Sequence, residues 1–451
     1  MKKNWKILSL VSIILFFLLF YLLYIKNIPI RYDDEAHWIG RSYFFELFLK
    51  RDFNNKLWQS EFAYDQMMLQ SYIYGILLYP KYLILKTKNK SIDLGKFLIE
   101  HNFYFISGKS YINYKDKLIN FINWGPQDYN VSPQNLLSKY GKNFEKTIEI
   151  IFIARKFNAL LLSINLLIIY ILTSLISNNL IAIITVIFYG FNKLIILTSL
   201  IAHAEALFLL IFNLGLLILL YIFNSKKELF THLFFGIISA LCAQTKLNGF
   251  LLIIFYDILI IFQSIYYFLN NQIDNFKKNI LYFLITNFSC FFIFFFLNPF
   301  FYSNPFNNLI FAINYRKKTA SQQAQYLGPA LTSFSDRIKT LYFNFFDKSK
   351  NNYNYSYPLF LKENKIFNLL LIIGFFFGVY NFLLDFFKKK LPLKKSIFLF
   401  IFILLNIALG IYLYLDWDRY FDIIVIFFIF FQIHGIFSLV NNFLSLIISQ
   451  K

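Results

Sequence analysis

The chain reads as an all-α polytopic membrane protein with about ten transmembrane helices and interfacial helices in its first outer loop. Three observations lead there. Of its 451 residues 58% are hydrophobic and only 15% charged, with a mean hydropathy of +0.55, a balance that does not describe a soluble globule. The apolar residues fall into runs of roughly 20, the length that crosses a hydrocarbon core of ~30 Å. Lysine clusters recur between alternate runs, as the positive-inside rule requires. The whole of 1–451 is read as one transmembrane domain.

The first run, 5–25, follows Lys2, Lys3 and Lys6, which holds the N-terminus in the cytoplasm. It is long, and no small-residue cleavage site follows it before the acidic triplet, so a retained anchor is expected rather than a signal peptide. Further spans are expected at 149–176, 180–200, 205–223, 230–245, 249–269, 280–301, 366–385, 396–414 and 421–439. Alternation then places Lys226 and Lys227, Lys277 and Lys278, the block Lys388-Lys389-Lys390 with Lys394 and Lys395, and the C-terminus in the cytoplasm. Two outward segments are long, 28–148 and 302–365. The stretch 67–86 is apolar but carries Gln70, Gly75 and Pro80, and counting it as a crossing would invert every later loop; it is read as an interfacial helix. The stretch 35–50, with Trp38, Tyr43, Phe44, Leu47 and Phe48 against Arg41, Glu46 and Lys50, is read as a second, amphipathic one. A cytoplasmic-membrane protein with its working face outside is the expectation.

Several classes of function drop out. Cys242 and Cys290 lie in separate apolar stretches, which suggests neither a disulfide framework nor a cysteine-type metal site. The formal net charge of +20 comes mostly from lysine and reports topology and attraction to anionic membrane lipids. No nucleic-acid motif, Walker-type loop or Rossmann-type glycine fingerprint is present, so neither a nucleic-acid partner nor a nucleotide cofactor is expected.

The residues that carry chemistry gather, on this topology, at the outer ends of the spans. Asp33-Asp34-Glu35 puts three carboxylates at the first membrane exit. The seven arginines, Arg31, Arg41, Arg51, Arg155, Arg316, Arg337 and Arg419, all fall outside or at outer span ends, against the positive-inside bias; a planar guanidinium matches phosphate and carboxylate oxygens, so anion recognition is expected there. Arg155 opens the second span, where it either serves that site or snorkels to headgroups. His203 and Glu205 begin the fourth, and their i, i+2 spacing would point them to different faces of a helix, so that one of them lines a cavity and the pair does not hold a metal. Thr245-Lys246-Leu247-Asn248-Gly249 interrupts some 40 apolar residues, and a lysine there calls for an anion or water. Asn298-Pro299 through Asn304-Pro305 reads as a loop start. Asp416-Trp417-Asp418-Arg419-Tyr420 sets two acids about an arginine before the last span. Asp257 and His434, single polar residues inside spans, are left to internal hydrogen bonding. Carboxylates, cations and a polar gap at headgroup depth suit a lipid-linked phosphate: a carboxylate can take the proton of an acceptor hydroxyl while cations stabilise a departing phosphate.

These phrases together resemble the C-type glycosyltransferases that use polyprenyl-phosphate sugars, in particular the protein mannosyltransferase and aminoarabinose transferase branch. Tyr32-Asp33-Asp34-Glu35-Ala36-His37 is similar to that family's Asp-Glu motif, with Asp34 in the place of the catalytic aspartate. Ile153-Ala154-Arg155-Lys156 resembles its second-span arginine, Thr245 to Gly249 its Thr-Lys-x-x-Gly element, and Asp416 to Tyr420 its late Asp-Arg-Tyr signature. The resemblance implies a transferase, hexosyl or pentosyl, that moves a sugar from a polyprenyl-phosphate donor to a protein, lipid or envelope glycan. It implies Asp34 as base, Glu35 or Asp33 orienting it or holding a divalent cation, and Arg155, Lys246 and Arg419 with Asp418, His203 and Glu205 about the donor. Where relatives carry a basic residue and Pro-Pro-Leu-Gly-Lys, this chain has Tyr64-Asp65 and no prolines, so acceptor contacts are expected to differ there. A flippase-like lipid or sugar transporter and a polysaccharide polymerase or ligase are the rival readings; the first should show inverted repeats with broken helices, and the second has no need of the acidic triplet.

Overall fold

The computed structural model describes residues 2–65, 67–88, 93–101, 103, 112–114, 117–119, 132–224, 228–327, 331, 333–347, 354–355, 357–361, 364–413 and 418–449. Helix α1 (Lys2–Tyr24) leads into a first loop built from α2 (Tyr32–Gly40), α3 (Tyr43–Leu49), α4 (Glu61–Tyr64), α5 (Leu69–Lys88), α6 (Leu94–Glu100), a hairpin of β1 (Ile112–Tyr114) and β2 (Lys117–Ile119), and α7 (Pro133–Tyr140). There follow α8 (Glu145–Ile176), α9 (Asn179–Gly190), α10 (Lys193–Ser199), α11 (Glu205–Asn224), α12 (Leu229–Thr245), α13 (Leu251–Leu269) and α14 (Ile273–Phe296). A second loop holds α15 (Pro305–Leu327) and α16 (Phe334–Phe346), before α17 (Lys365–Phe387), α18 (Leu393–Tyr412) and α19 (Val425–Ser449).

Among the described residues seven helices are long and apolar enough to cross a membrane, within α8, α11, α13, α14, α17, α18 and α19. Shorter apolar helices lie in α1, α9 and α12. Each of the ten overlaps one of the ten expected runs, seven of them long enough to cross and three shorter. The chain is an all-α polytopic membrane protein.

Two elements depart from expectation, each for a local reason. The run 180–200 is not one helix: Asn192 caps α10 through the Ile195 N–H, and its Nδ2 donates to the Tyr355 carbonyl, so the chain breaks and docks the second loop. The run 35–50 breaks at Arg41, whose buried Nη2 donates to the carbonyls of Phe62 and Met67 and so turns the chain inward. The 67–86 helix is continuous through Pro80, and buries Gln70, Tyr72, Tyr74, Leu78 and Tyr82 where α2 and α3 pack upon it. It is not among the helices apolar enough to cross.

The tightest crossing is α17 on α19. Gly374 and Gly378, four residues apart, face Gly435, where a Cβ would lie 1.8 Å from the Gly374 carbonyl oxygen; only hydrogen permits that approach, the small-residue packing common between membrane helices. The motifs singled out in the sequence meet at one end of this bundle. The opposite end carries the start of α1, Lys277 and Lys278 at the start of α14, and Lys388, Lys389, Lys390, Lys394 and Lys395 between α17 and α18. Lys226 and Lys227 lie outside the described residues. If the lysine-rich end faces the cytoplasm, an Asn307→Cys variant reacts with a membrane-impermeant maleimide in intact cells or spheroplasts, and a Lys390→Cys variant reacts only after lysis. The reverse pattern would invert the orientation.

Candidate active site

The site begins with Arg155 and Glu35, both 0% exposed. Arg155 Nε and Nη2 donate to the two Glu35 oxygens at 2.8 and 2.5 Å, Nη1 donates to the carbonyls of Ile25 and Ile28, and Nη2 also donates to that of Pro29. All five guanidinium N–H bonds are thus taken. Glu35 in turn accepts from the backbone N–H of Arg31 at Oε1 and of Ala202 at Oε2, each at 2.9 Å. The expectation of Arg155 as a phosphate clamp, or as a snorkelling residue, is therefore corrected: no donor is left for a phosphate, and the side chain reaches carbonyls released where α1 ends. Glu35 likewise has no open position for a divalent cation, and its place is to hold α2. Among the described residues no three His, Cys, Asp or Glu side chains gather to hold a metal.

Fixing Glu35 inward sets the direction of its neighbour. Asp34 lies in the first turn of α2, where a carboxylate is favoured by the helix dipole, and its side chain is 30% exposed. Its one ion pair among the described residues is with Arg419 Nη1, at 3.9 Å. Asp33 shares that turn, and its side chain lies outside what the structure describes.

Arg419 is in the 3-10 turn Asp418–Tyr420, ahead of the last span. Its Nη1 sits 3.1 Å from His203 Nε2, while His203 Nδ1 bonds Glu205 Oε2. Glu205 Oε1 accepts from Lys246 Nζ at 2.7 Å. One chain of contacts therefore runs Asp34, Arg419, His203, Glu205, Lys246, drawing on α2, the turn before α19, the 201–204 loop, the start of α11 and the end of α12. His203 and Glu205 meet although i, i+2 residues of one helix would diverge, because His203 is not helical: α11 starts at Glu205. The 201–203 backbone is pinned by Asn158 Nδ2 and the Tyr74 hydroxyl, which donate to its carbonyls. Burial lowers the His203 pKa from the ordinary imidazole value, against the pull of Glu205, so the ring is neutral at neutral pH. Lys246 is half-buried at this end, where α12 stops: it takes an extended backbone, and Gly249 lies so close to the Cys242 main chain that a Cβ would sit 2.2 Å from its carbonyl carbon.

A second cluster adjoins the first through Tyr420. Arg316 Nη2 donates to the Tyr420 hydroxyl at 3.1 Å and Nη1 reaches both oxygens of Asp65 at 3.3 Å. Tyr64 packs edge to face with Phe311 and Tyr315 and against Phe300. The Asn298-Pro299 exit is more than a loop start, since buried Asn298 donates to the Ala63 carbonyl and so places Tyr64 and Asp65. Arg316 is the site residue that sequence reasoning did not single out; nothing in the sequence pairs it with a carboxylate 251 positions away. Asp416 and Trp417, and the side chain of Asp418, lie outside the described residues.

The chain is similar to membrane-embedded glycosyltransferases of the C type over its central part. Residues 104–322 match the family model of the dolichyl-phosphate-mannose-protein mannosyltransferases, just under half of the chain. No curated protein and no solved structure matches. The matched stretch contains Arg155, His203, Glu205, Lys246 and Arg316; Asp34 and Arg419 flank it and are joined to it by the contacts above.

Replacing Arg155 by Ala leaves the Glu35 carboxylate buried without its partner, a change worth ~3–5 kcal/mol. The expected outcome is a large fall in thermal unfolding temperature in detergent, with or without donor present. An Arg155→Ala protein of unchanged stability but impaired donor binding would restore the clamp.

Proposed function

We propose that the protein transfers a single sugar, a mannose or a related hexose or pentose, from a polyprenyl-phosphate carrier to an acceptor hydroxyl on the outer face of the cytoplasmic membrane, with inversion. The observation that carries this is one partly exposed carboxylate, Asp34, standing beside the Arg419 guanidinium, with a second cation, Lys246, joined to it through His203 and Glu205, at the ends of spans where a lipid headgroup lies. The family match supports the donor class. The lysine-rich turns at the far end of the bundle support the outward orientation of the site.

In the proposed step the acceptor O–H gives its proton to Asp34 as its oxygen bonds to the anomeric carbon. The bond from that carbon to the phosphate oxygen breaks, and its electron pair leaves with the polyprenyl phosphate. Arg419, whose planar fork suits phosphate oxygens, and Lys246 stabilise the charge as it grows. Tyr64, Asp65 and Arg316, joined to the site through the Tyr420 hydroxyl, supply aromatic and charged contacts for the acceptor, be it protein, lipid or glycan.

Asp34→Asn keeps shape but cannot take a proton, and turnover is expected to fall roughly 10²- to 10⁴-fold with donor binding retained. Near-normal turnover in a radiolabelled transfer assay would sink the base assignment, and a dead Asp33→Asn beside an active Asp34→Asn would move the base by one residue. Arg419→Lys keeps the charge and loses the fork. Loss of a charge-assisted hydrogen bond of ~1.5–3 kcal/mol corresponds to roughly 10- to 150-fold in donor use. If instead the variant loses thermal stability while its dependence on donor concentration is unchanged, Arg419 is a brace and not a clamp.

A further inference from the structure

The contact between Arg419 and His203 specifies the state of the imidazole. A guanidinium has only donors, so Nε2, 3.1 Å from Arg419 Nη1, must present its lone pair. Nδ1 then carries the ring proton and donates it to Glu205 Oε2, which is the arrangement a carboxylate partner requires. An imidazolium would set an N–H against the Arg419 N–H. Glu205 needs no charge on the ring, because its other oxygen already pairs with Lys246. The ring itself is held: Trp38 packs on it with centroids 4.9 Å apart, and the backbone on either side is bonded to Glu35, Asn158 and Tyr74.

The same Nη1 that touches His203 stands 3.9 Å from Asp34, beyond the ~2.7–2.9 Å of a closed guanidinium–carboxylate bond. Were Arg419 to close onto Asp34, the carboxylate would be a weaker base and the guanidinium would be less free for a phosphate. We infer that His203 is a positioning residue: as a neutral acceptor anchored by Glu205, it holds the Arg419 guanidinium beside Asp34 without letting the two close into a tight ion pair. This rests on the reading of Arg419 as clamp and Asp34 as base. The charged groups about the ring are Glu205 and Arg419 in contact with it, with Asp34 and Lys246 one step further out.

The test is steady-state transfer by purified full-length protein with a polyprenyl-phosphomannose donor, comparing His203→Ala, His203→Gln, Arg419→Lys and the double variant His203→Ala/Arg419→Lys. His203→Ala is expected to raise the KM for donor about tenfold or more and to lower kcat, since Arg419 then collapses onto Asp34. His203→Gln, whose carbonyl oxygen can accept from Arg419, is expected to recover most of the donor KM. If His203→Ala does not fold, His203→Leu, which fills the space without an acceptor, takes its place in the cycle with Arg419. Action through Arg419 predicts that His203→Ala adds less to Arg419→Lys than it costs alone, whereas independent effects multiply. Multiplicative effects, or a donor KM unmoved by either His203 substitution while Asp34→Asn is inactive, overturn the inference and leave the proposed reaction standing. An active Asp34→Asn together with an Arg419→Lys of normal donor KM overturns the reaction and the inference with it.

Discussion

The buried pair of Arg155 and Glu35 is the constraint on which the rest of the site depends. Taking both charges out of water costs several kcal/mol per ion, and the pair is tolerable only if every donor and lone pair is satisfied. Here that condition is met with five donors on five acceptors, and the acceptors come from places the chain would otherwise leave loose. The carbonyls of Ile25, Ile28 and Pro29 belong to the exit of α1; Glu35 belongs to α2, and Ala202 to the loop before α11. One guanidinium on α8 therefore ties three separate strands of the chain at the membrane boundary. With Glu35 fixed inward, the residue before it on the helix must turn about 100° away, and that residue is Asp34.

The other arginines show the same economy of backbone groups. Arg41 satisfies carbonyls of Phe62 and Met67, and buried Arg337 donates to the carbonyls of Leu331, Gly410 and Ile411, closing the end of α18. Where a membrane helix stops, its last carbonyls have no water to turn to, and a long cation with several donors answers several at once. An arginine-rich end of the bundle is thus in large part a record of where helices terminate. Arg419 and Arg316 differ: their contacts are with side chains, His203 and Asp34 for one and Asp65 and Tyr420 for the other.

This explains what could be read from the sequence and what could not. The ten apolar segments were legible because each is specified by its own run of residues, and the acidic triplet, the lysine at Thr245-Lys246 and the Asp-Arg-Tyr turn were legible as polar groups in costly places. The role of Arg155 was not, because a clamp and a brace have the same composition and differ only in whether acceptors converge on the side chain. The meeting of His203 with Glu205 was hidden by two residues of helix boundary: with α11 extended back to His203 the side chains would diverge, and starting it at Glu205 they touch. The break at Asn192 was hidden by the apolar residues on both sides, which hold the hydropathy high across a cap that only its hydrogen bonds to Ile195 and Tyr355 reveal.

The balance of charge in the site bears on how a donor could enter it. Among the described side chains Asp34, Glu205 and Asp65 pair with Arg419, Lys246 and Arg316, so each of these cations already has a protein partner. A site whose cations were unpaired would bind the carrier phosphate strongly in the ground state and release the product slowly. Cations shared with carboxylates hold a singly charged phosphodiester more weakly, and they can shift toward its oxygens as charge builds on the leaving phosphate. Stabilisation of that kind is worth most in the transition state, which is where it raises the rate. It also demands that the carboxylates stay where they are when their cations lean away. Glu205 can do so because it keeps the His203 hydrogen bond. Asp34 can do so because its backbone belongs to a helix pinned one residue later by Glu35, and through it by Arg155.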